Sequence, residues 1–369
     1  MMFKVGKPVT GNDFFDRTKM ITDVRRLIVD RQDFMMKAPR RYGKTSLIKH
    51  VLLDSKDPYL YLDLRRESRM ENIAEQIIDF VFTQAGISGF FRRMKEGIAK
   101  FMINAKHEVT IKTEIFEYSV EFFSDEKKKP CELLIKALET AEQIATELNR
   151  HFIIIFDEFQ DVSRFICEGN VLEMMRGTIQ HHEHITYAFL GSIEHLMTDI
   201  FENKKSPFYN YCRKLKLPAF DIIELAPQLE MTFKKRQIIF EDSLDLMSVL
   251  QRLFGHPTNT MLVMQHIYYS ALDKEIRLVT KQMIDNAYES AFNEVHDLIE
   301  QYVHELKGKK HHYDVLCRLA RNEEQILTAQ ALNQVYKGLI EMGYIAHIKR
   351  GEYILNDGFL VEYAKGFNT

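Results

Sequence analysis

The chain has 369 residues, 46% hydrophobic and 28% charged, with a formal net charge of -3. That length and apolar share imply two or three packed units and exclude an intrinsically disordered chain. The near-neutral balance gives no global electrostatic reason for a nucleic-acid or membrane partner.

No apolar run approaches the roughly 18–20 residues needed to span a bilayer. Residues 1–17 hold no apolar core of signal-peptide length. Cys131, Cys167, Cys212 and Cys317 are far apart and form no CxxC pair. A zinc ribbon or a disulfide framework is not expected; free thiols in a reducing cytoplasm are.

Residues 14–30 place Met20, Ile21, Val24, Leu27 and Ile28 at helical spacing, which predicts an amphipathic helix. Residues 32–38 are short and mostly apolar, like a buried strand. A Gly-Lys-Thr turn follows and opens a helix over 43–54. Residues 58–64 alternate Tyr and Leu as a second strand, and 70–85 form a helix. Residues 107–123 alternate apolar and polar, which predicts one or two strands in a peripheral hairpin. A helix over 131–149 follows. Residues 151–158 then form a fully buried strand ending in two carboxylates. Further strands are expected at 185–192 and 214–220. Strands separated by helices imply βαβ units and a parallel sheet.

After about residue 226 the strand signal stops and helices follow, the last running over about 280–306. Residues 307–312 are a basic break and a linker. Helices over 313–322 and 328–345 precede two short strands around Arg350-Gly351, the order of a winged helix-turn-helix. The expected fold is α/β: a three-layer αβα parallel sheet of the P-loop NTPase type, then a helical lid, then a winged helix. The expected units are 1–225, 226–306 and 307–369.

The turn after the first strand reads Ala38-Pro39-Arg40-Arg41-Tyr42-Gly43-Lys44-Thr45-Ser46, against the pattern G-x-x-x-x-G-K-[ST]. Such a loop turns successive backbone N–H groups toward phosphates, with a helix N-terminus behind them. Gly43 allows close approach, Lys44 reaches the β- and γ-phosphates, and the Thr45 hydroxyl coordinates Mg²⁺. Ala38 replaces the opening glycine, which is tolerable if its φ stays negative. Asp157 ends the acidic strand as the expected Mg²⁺ carboxylate. Glu158 is placed to polarise an attacking water. Ser192, after another buried strand, reads either as a partner of the γ-phosphate or that water, or as an ordinary turn residue.

These stretches resemble the archaeal-type AAA-like ATPases, part of the class of signal-transduction ATPases with numerous domains. The likeness is carried by the loop at 38–47, the acidic strand at 153–162, Gly191-Ser192, residues 206–220, Gly255-His256-Pro257 and the tail. It implies ATP or ADP with Mg²⁺ at the loop. It also implies a lid whose His256-Pro257 turn approaches the nucleotide. The family's arginine position is held by Tyr211, and Arg213, two residues on, reads as an arginine finger or as strand decoration.

A winged helix raises DNA as a partner, with Gln330, Asn333, Gln334 and Lys337 as base readers and Lys349 and Arg350 for phosphate. Residues 301–369 carry nine Lys/Arg against eight Asp/Glu, a balance of about +1, which favours an interaction or packing module. The implied activity is Mg²⁺-dependent ATP hydrolysis coupled to lid and tail rearrangement. The alternative is a nucleotide-gated switch or a DNA-binding regulator with little turnover. The partners considered are ATP, an unidentified protein, DNA and a second copy of the chain, with no membrane.

Overall fold

The computed structural model describes residues 3–96, 110–124, 128–166, 168–349 and 352–366. Five strands form one sheet: β1 (Phe34–Lys37), β2 (Tyr59–Asp63), β3 (Phe152–Asp157), β4 (Ile185–Gly191) and β5 (Arg213–Lys216). Their order is β2-β3-β4-β1-β5 and every pairing is parallel. β3 and β4 are buried along their whole length, as an inner strand covered on both faces must be.

Alternation along the strands divides the core in two. Met35, Ile154, Phe156, Tyr187 and Phe189 face the helices Met70–Gln84 and Pro130–Glu147. Phe34, Met36, Ile153, Ile155, Ala188 and Leu190 face the helices Thr18–Val29 and Lys44–Leu52. Each fully buried Ile or Phe contributes about 1.5–3 kcal/mol. The chain leaves β1 and crosses past β4 and β3 to reach β2, so a crevice opens at the carboxyl ends of the strands.

Three expectations are corrected. Residues 113–124 are a helix, Thr113–Ser124, which buries Phe116, Ser119, Val120 and Phe123. That spacing is helical, and the aromatic-rich alternation read as strand fits it as well; positions 107–109 lie outside the described residues. The long helix is two, Lys281–Glu294 and His296–Lys307, separated at Val295. Cys131 is disulfide-bonded, whereas Cys212 and Cys317 are the free thiols among the described residues.

Buried residues from Leu225 to Ala364 share one cluster with Phe3 and Phe15. Within it, two-residue strands Ile239–Phe240 and Leu278–Val279 pair in parallel, a small sheet the sequence did not announce. The tail runs through helices His312–Ala320 and Ala329–Glu341 into an antiparallel hairpin of Ile345–Lys349 and Glu352–Leu355. The turn at Arg350-Gly351 lies outside the described residues. A further helix, Gly358–Lys365, closes the tail. A Cβ at Gly358 would stand 2.0 Å from the Arg252 carbonyl oxygen, so only glycine lets this helix start against the neighbouring backbone. Among the described residues no helix is long and apolar enough to cross a membrane.

Candidate functional site

The loop leaves the carboxyl end of β1. The Ala38 N–H donates to the Gly191 carbonyl at 3.3 Å, which ties the loop to the end of β4. Ala38 is buried and its φ is not positive, so its methyl causes no backbone strain. The left-handed positions are Arg41 (φ 67°) and Gly43 (φ 85°). Gly43 caps the helix Lys44–Leu52, whose first-turn N–H groups open toward the loop. Ser46 Oγ accepts from the Val9 N–H at 3.2 Å, holding the N-terminal segment against that helix.

Lys44 is buried, and its Nζ donates to the carbonyls of Ala38 at 3.0 Å and Pro39 at 3.4 Å. The ammonium thus spans the mouth of its own loop. Burial pushes its pKa down, against the opposing pull of Glu158 and Asp157. Thr45 Oγ1 donates to Asp157 Oδ2 at 3.1 Å. Burial, aided by the charge of Glu158, holds the Asp157 carboxyl above its ordinary range, against the Tyr61, Lys44 and Thr45 contacts. A hydroxyl and a carboxylate in contact at a strand end are the hard oxygen donors that suit Mg²⁺.

Glu158 follows in the left-handed region, φ 55° and ψ 44°. Its Oε2 accepts from Ser192 Oγ at 2.5 Å, Gln160 Nε2 at 2.6 Å, Arg65 Nη2 at 3.1 Å and the Ser192 N–H at 3.3 Å. Burial raises its carboxyl. The hydrogen bonds from Ser192 and Gln160, with the charges of Lys44 and Arg65, outweigh that and leave it below its ordinary value. Lys44, Thr45, Asp157, Glu158 and Ser192 are therefore brought together at the carboxyl ends of β1, β3 and β4.

The His256-Pro257 turn also reaches the loop. His256 is buried and presents its ring edge-on to Tyr42, centroids 5.1 Å apart. Its own side chain caps the helix Pro257–Asp273 by accepting from the Asn259 N–H. Burial lowers its pKa. Thr258 Oγ1 donates to the Arg41 carbonyl at 2.9 Å. Pro257 lines a cavity of about 90 Å³ with Val9, Phe15, Arg17, Gly43 and Met261. Pro39, Arg40 and Arg41 line a larger one of about 310 Å³ with Ser192, Tyr302 and Tyr344. Both arginines are exposed.

Arg213 is not brought to the loop. It starts β5 opposite Phe34, with its N–H donating to the Asp33 carbonyl at 3.0 Å. The loop leaves at the other end of β1, beyond Lys37, which pairs with Lys216. That separation is about 10 Å of strand, and no contact among the described residues joins Arg213 to the loop. Tyr211 lies at the same remote end, donating to Asp33.

Sequence reasoning missed Tyr61, Arg65 and Gln160. Tyr61 donates to Asp157 and sits 3.2 Å from Thr45 Oγ1. Arg65 pairs with Glu158 and with Asp161. The available signal was the strand at 58–64: parallel pairing with the acidic strand sets its carboxyl end beside Asp157.

No protein-family model matches the sequence, and no curated protein matches it. Solved structures do. The Walker-type ATPase PABY2304 of Pyrococcus abyssi superposes with a TM-score of 0.70 at 17% identity, covering 99% of this chain and 100% of that one. The Aeropyrum pernix ORC2 protein in its ADPNP–ADP complexes matches with a TM-score of 0.57 at 11% identity, covering 98% and 94%. Its ADP form matches with a TM-score of 0.53 at 12% identity, covering 98% and 95%. The expected P-loop NTPase sheet with a helical C-terminal region is thus the fold of this chain, shared over nearly its whole length with an archaeal Walker-type ATPase.

Proposed function

We propose that the chain binds ATP at residues 38–46 and hydrolyses it to ADP and phosphate. The meeting of Lys44, Thr45, Asp157, Glu158 and Ser192 around one loop carries this reading. The helix N-terminus and Lys44 hold the phosphates. Thr45 and Asp157 hold Mg²⁺, which supplies positive charge against the phosphate oxygens. Glu158, ionised at neutral pH and aimed at Ser192, orients the attacking water and accepts its proton. Ser192 fixes that carboxylate. The Aeropyrum pernix ORC2 protein forms complexes with ADPNP and ADP, nucleotides of the class this loop suits.

The units 1–225, 226–306 and 307–369 take the roles of ATPase, lid and winged helix. The His256-Pro257 turn touches the loop, and Tyr42 ties the loop to the tail. This supports coupling of nucleotide state to lid and tail, with a protein, DNA or second-copy partner. Gln330, Asn333, Gln334 and Lys337 are exposed on the tail helix, where such a partner could meet them. The second reading, a switch with little turnover, is favoured by the distance of Arg213 from the loop.

Phosphate release with ATP and Mg²⁺ tests the proposal. Glu158→Gln should lower turnover by about 100-fold or more while ATP still binds. If the parent protein released no phosphate and Glu158→Gln changed nothing, the hydrolytic reading would be wrong.

A further inference from the structure

Tyr61 shares a sheet face with Asp63, Ile155 and Asp157, because β2 and β3 pair Tyr61 with Ile155 and Asp63 with Asp157. Its ring lies under the Lys49 ammonium, 5.0 Å from the centroid. Its hydroxyl reaches Asp157 Oδ2 and stands 3.2 Å from Thr45 Oγ1. One phenolic proton serves one acceptor, and the carboxylate is the stronger. Asp157 Oδ2 then accepts from two hydroxyls, Thr45 and Tyr61, while Oδ1 accepts from the Glu158 N–H.

A carboxylate oxygen has two lone pairs, so both on Oδ2 are engaged. A divalent cation that takes Oδ2 as its ligand displaces one of these two donations. Thr45 can keep its place and offer a lone pair to the cation. The Tyr61 oxygen stays beside Oδ2, because its ring is set by the strand and by Lys49, so its donation to Oδ2 must be given up when the cation takes that position.

We propose that Tyr61 is a positioning residue that holds Asp157 in the absence of a cation and competes with the cation for Oδ2. It thereby sets the divalent-metal affinity of the site. The proposal rests on the nucleotide reading above. It goes beyond that reading in assigning β2 a share of the site.

The test uses the full chain and Tyr61→Phe, which keeps the ring on Lys49 and removes the donor. ADP affinity is measured in EDTA, and Mn²⁺ affinity of the ADP complex by electron paramagnetic resonance. The expected result is unchanged ADP affinity in EDTA and Mn²⁺ binding tighter by about tenfold, the worth of one hydrogen bond to a charged group. Unchanged or weaker Mn²⁺ binding with ADP binding intact overturns the role of Tyr61 alone. Failure of both proteins to bind ADP overturns the nucleotide reading and this proposal with it.

Discussion

The Tyr42 hydroxyl donates to the Asn356 carbonyl oxygen at 3.2 Å, joining the loop to a residue 314 positions away. The same ring meets His256 edge-on, and the Tyr42 carbonyl accepts from Arg17 Nη2 at 3.4 Å. One loop residue therefore touches the N-terminal segment, the His-Pro turn and the tail. Beside it, Asn259 Nδ2 donates to Asp357 Oδ1 at 2.7 Å. A change in the loop backbone cannot leave Tyr42 in place against all three.

Tyr42→Phe keeps the ring contact with His256 and removes only the donor to Asn356. Its expected cost is about 1 kcal/mol in urea unfolding. Amide exchange should quicken around residues 352–366 more than around β3, because the lost contact anchors the tail. Equal exchange in both regions would deny the tie a role in holding the tail.

The parts legible in the sequence were those with a strong local signature. β3 is an unbroken apolar run closed by Asp157 and Glu158, and the loop joins a strand to a helix within a few residues. Neither needs knowledge of a distant partner. Tyr61 and Arg65 were not legible, because their partners Asp157 and Glu158 lie 96 and 93 positions away. Only the parallel register of β2 on β3 brings them together. The place of Arg213 was not legible for a related reason. Its distance along the chain from the family's arginine position says nothing about which end of β5 it occupies. The helix Thr113–Ser124 was misread because closely spaced aromatics satisfy both periods over so short a run.

Asp33 offers a pH test at the far end of the sheet. Its carboxyl accepts from the Tyr187 N–H at 2.8 Å and from the Tyr211 hydroxyl. Burial still dominates and raises it from the ordinary 3.8 to about 6, against those bonds and the charge of Arg176. A raised carboxyl binds its proton more readily folded than unfolded. Stability from this group is therefore greatest below the unfolded value and is lost as pH rises to about 6. Asp33→Asn removes the buried charge, keeps an acceptor for the Tyr187 N–H, and turns its amide NH2 to the Tyr211 hydroxyl oxygen, which can accept. In urea unfolding, the variant should gain on the parent by about 1–3 kcal/mol between pH 4 and pH 8. A difference that stays constant across that range would show that Asp33 does not titrate as its burial requires.

Restoring the glycine that the loop pattern prefers supplies the last test. Ala38 is fully buried, its N–H is bonded to Gly191, and its φ is not positive. Nothing at this position requires glycine, so Ala38→Gly gains no relief of strain. It loses the methyl from the cluster around Phe34, Met36 and Leu190, and it frees the unfolded chain. The two effects together predict destabilisation of about 1–2 kcal/mol. ATP affinity by calorimetry should stay within about twofold of the parent, because Arg41 and Gly43 take the left-handed turns on which the loop depends. An Ala38→Gly variant that was more stable, or that bound ATP much more tightly, would mean that the methyl of Ala38 obstructs the loop.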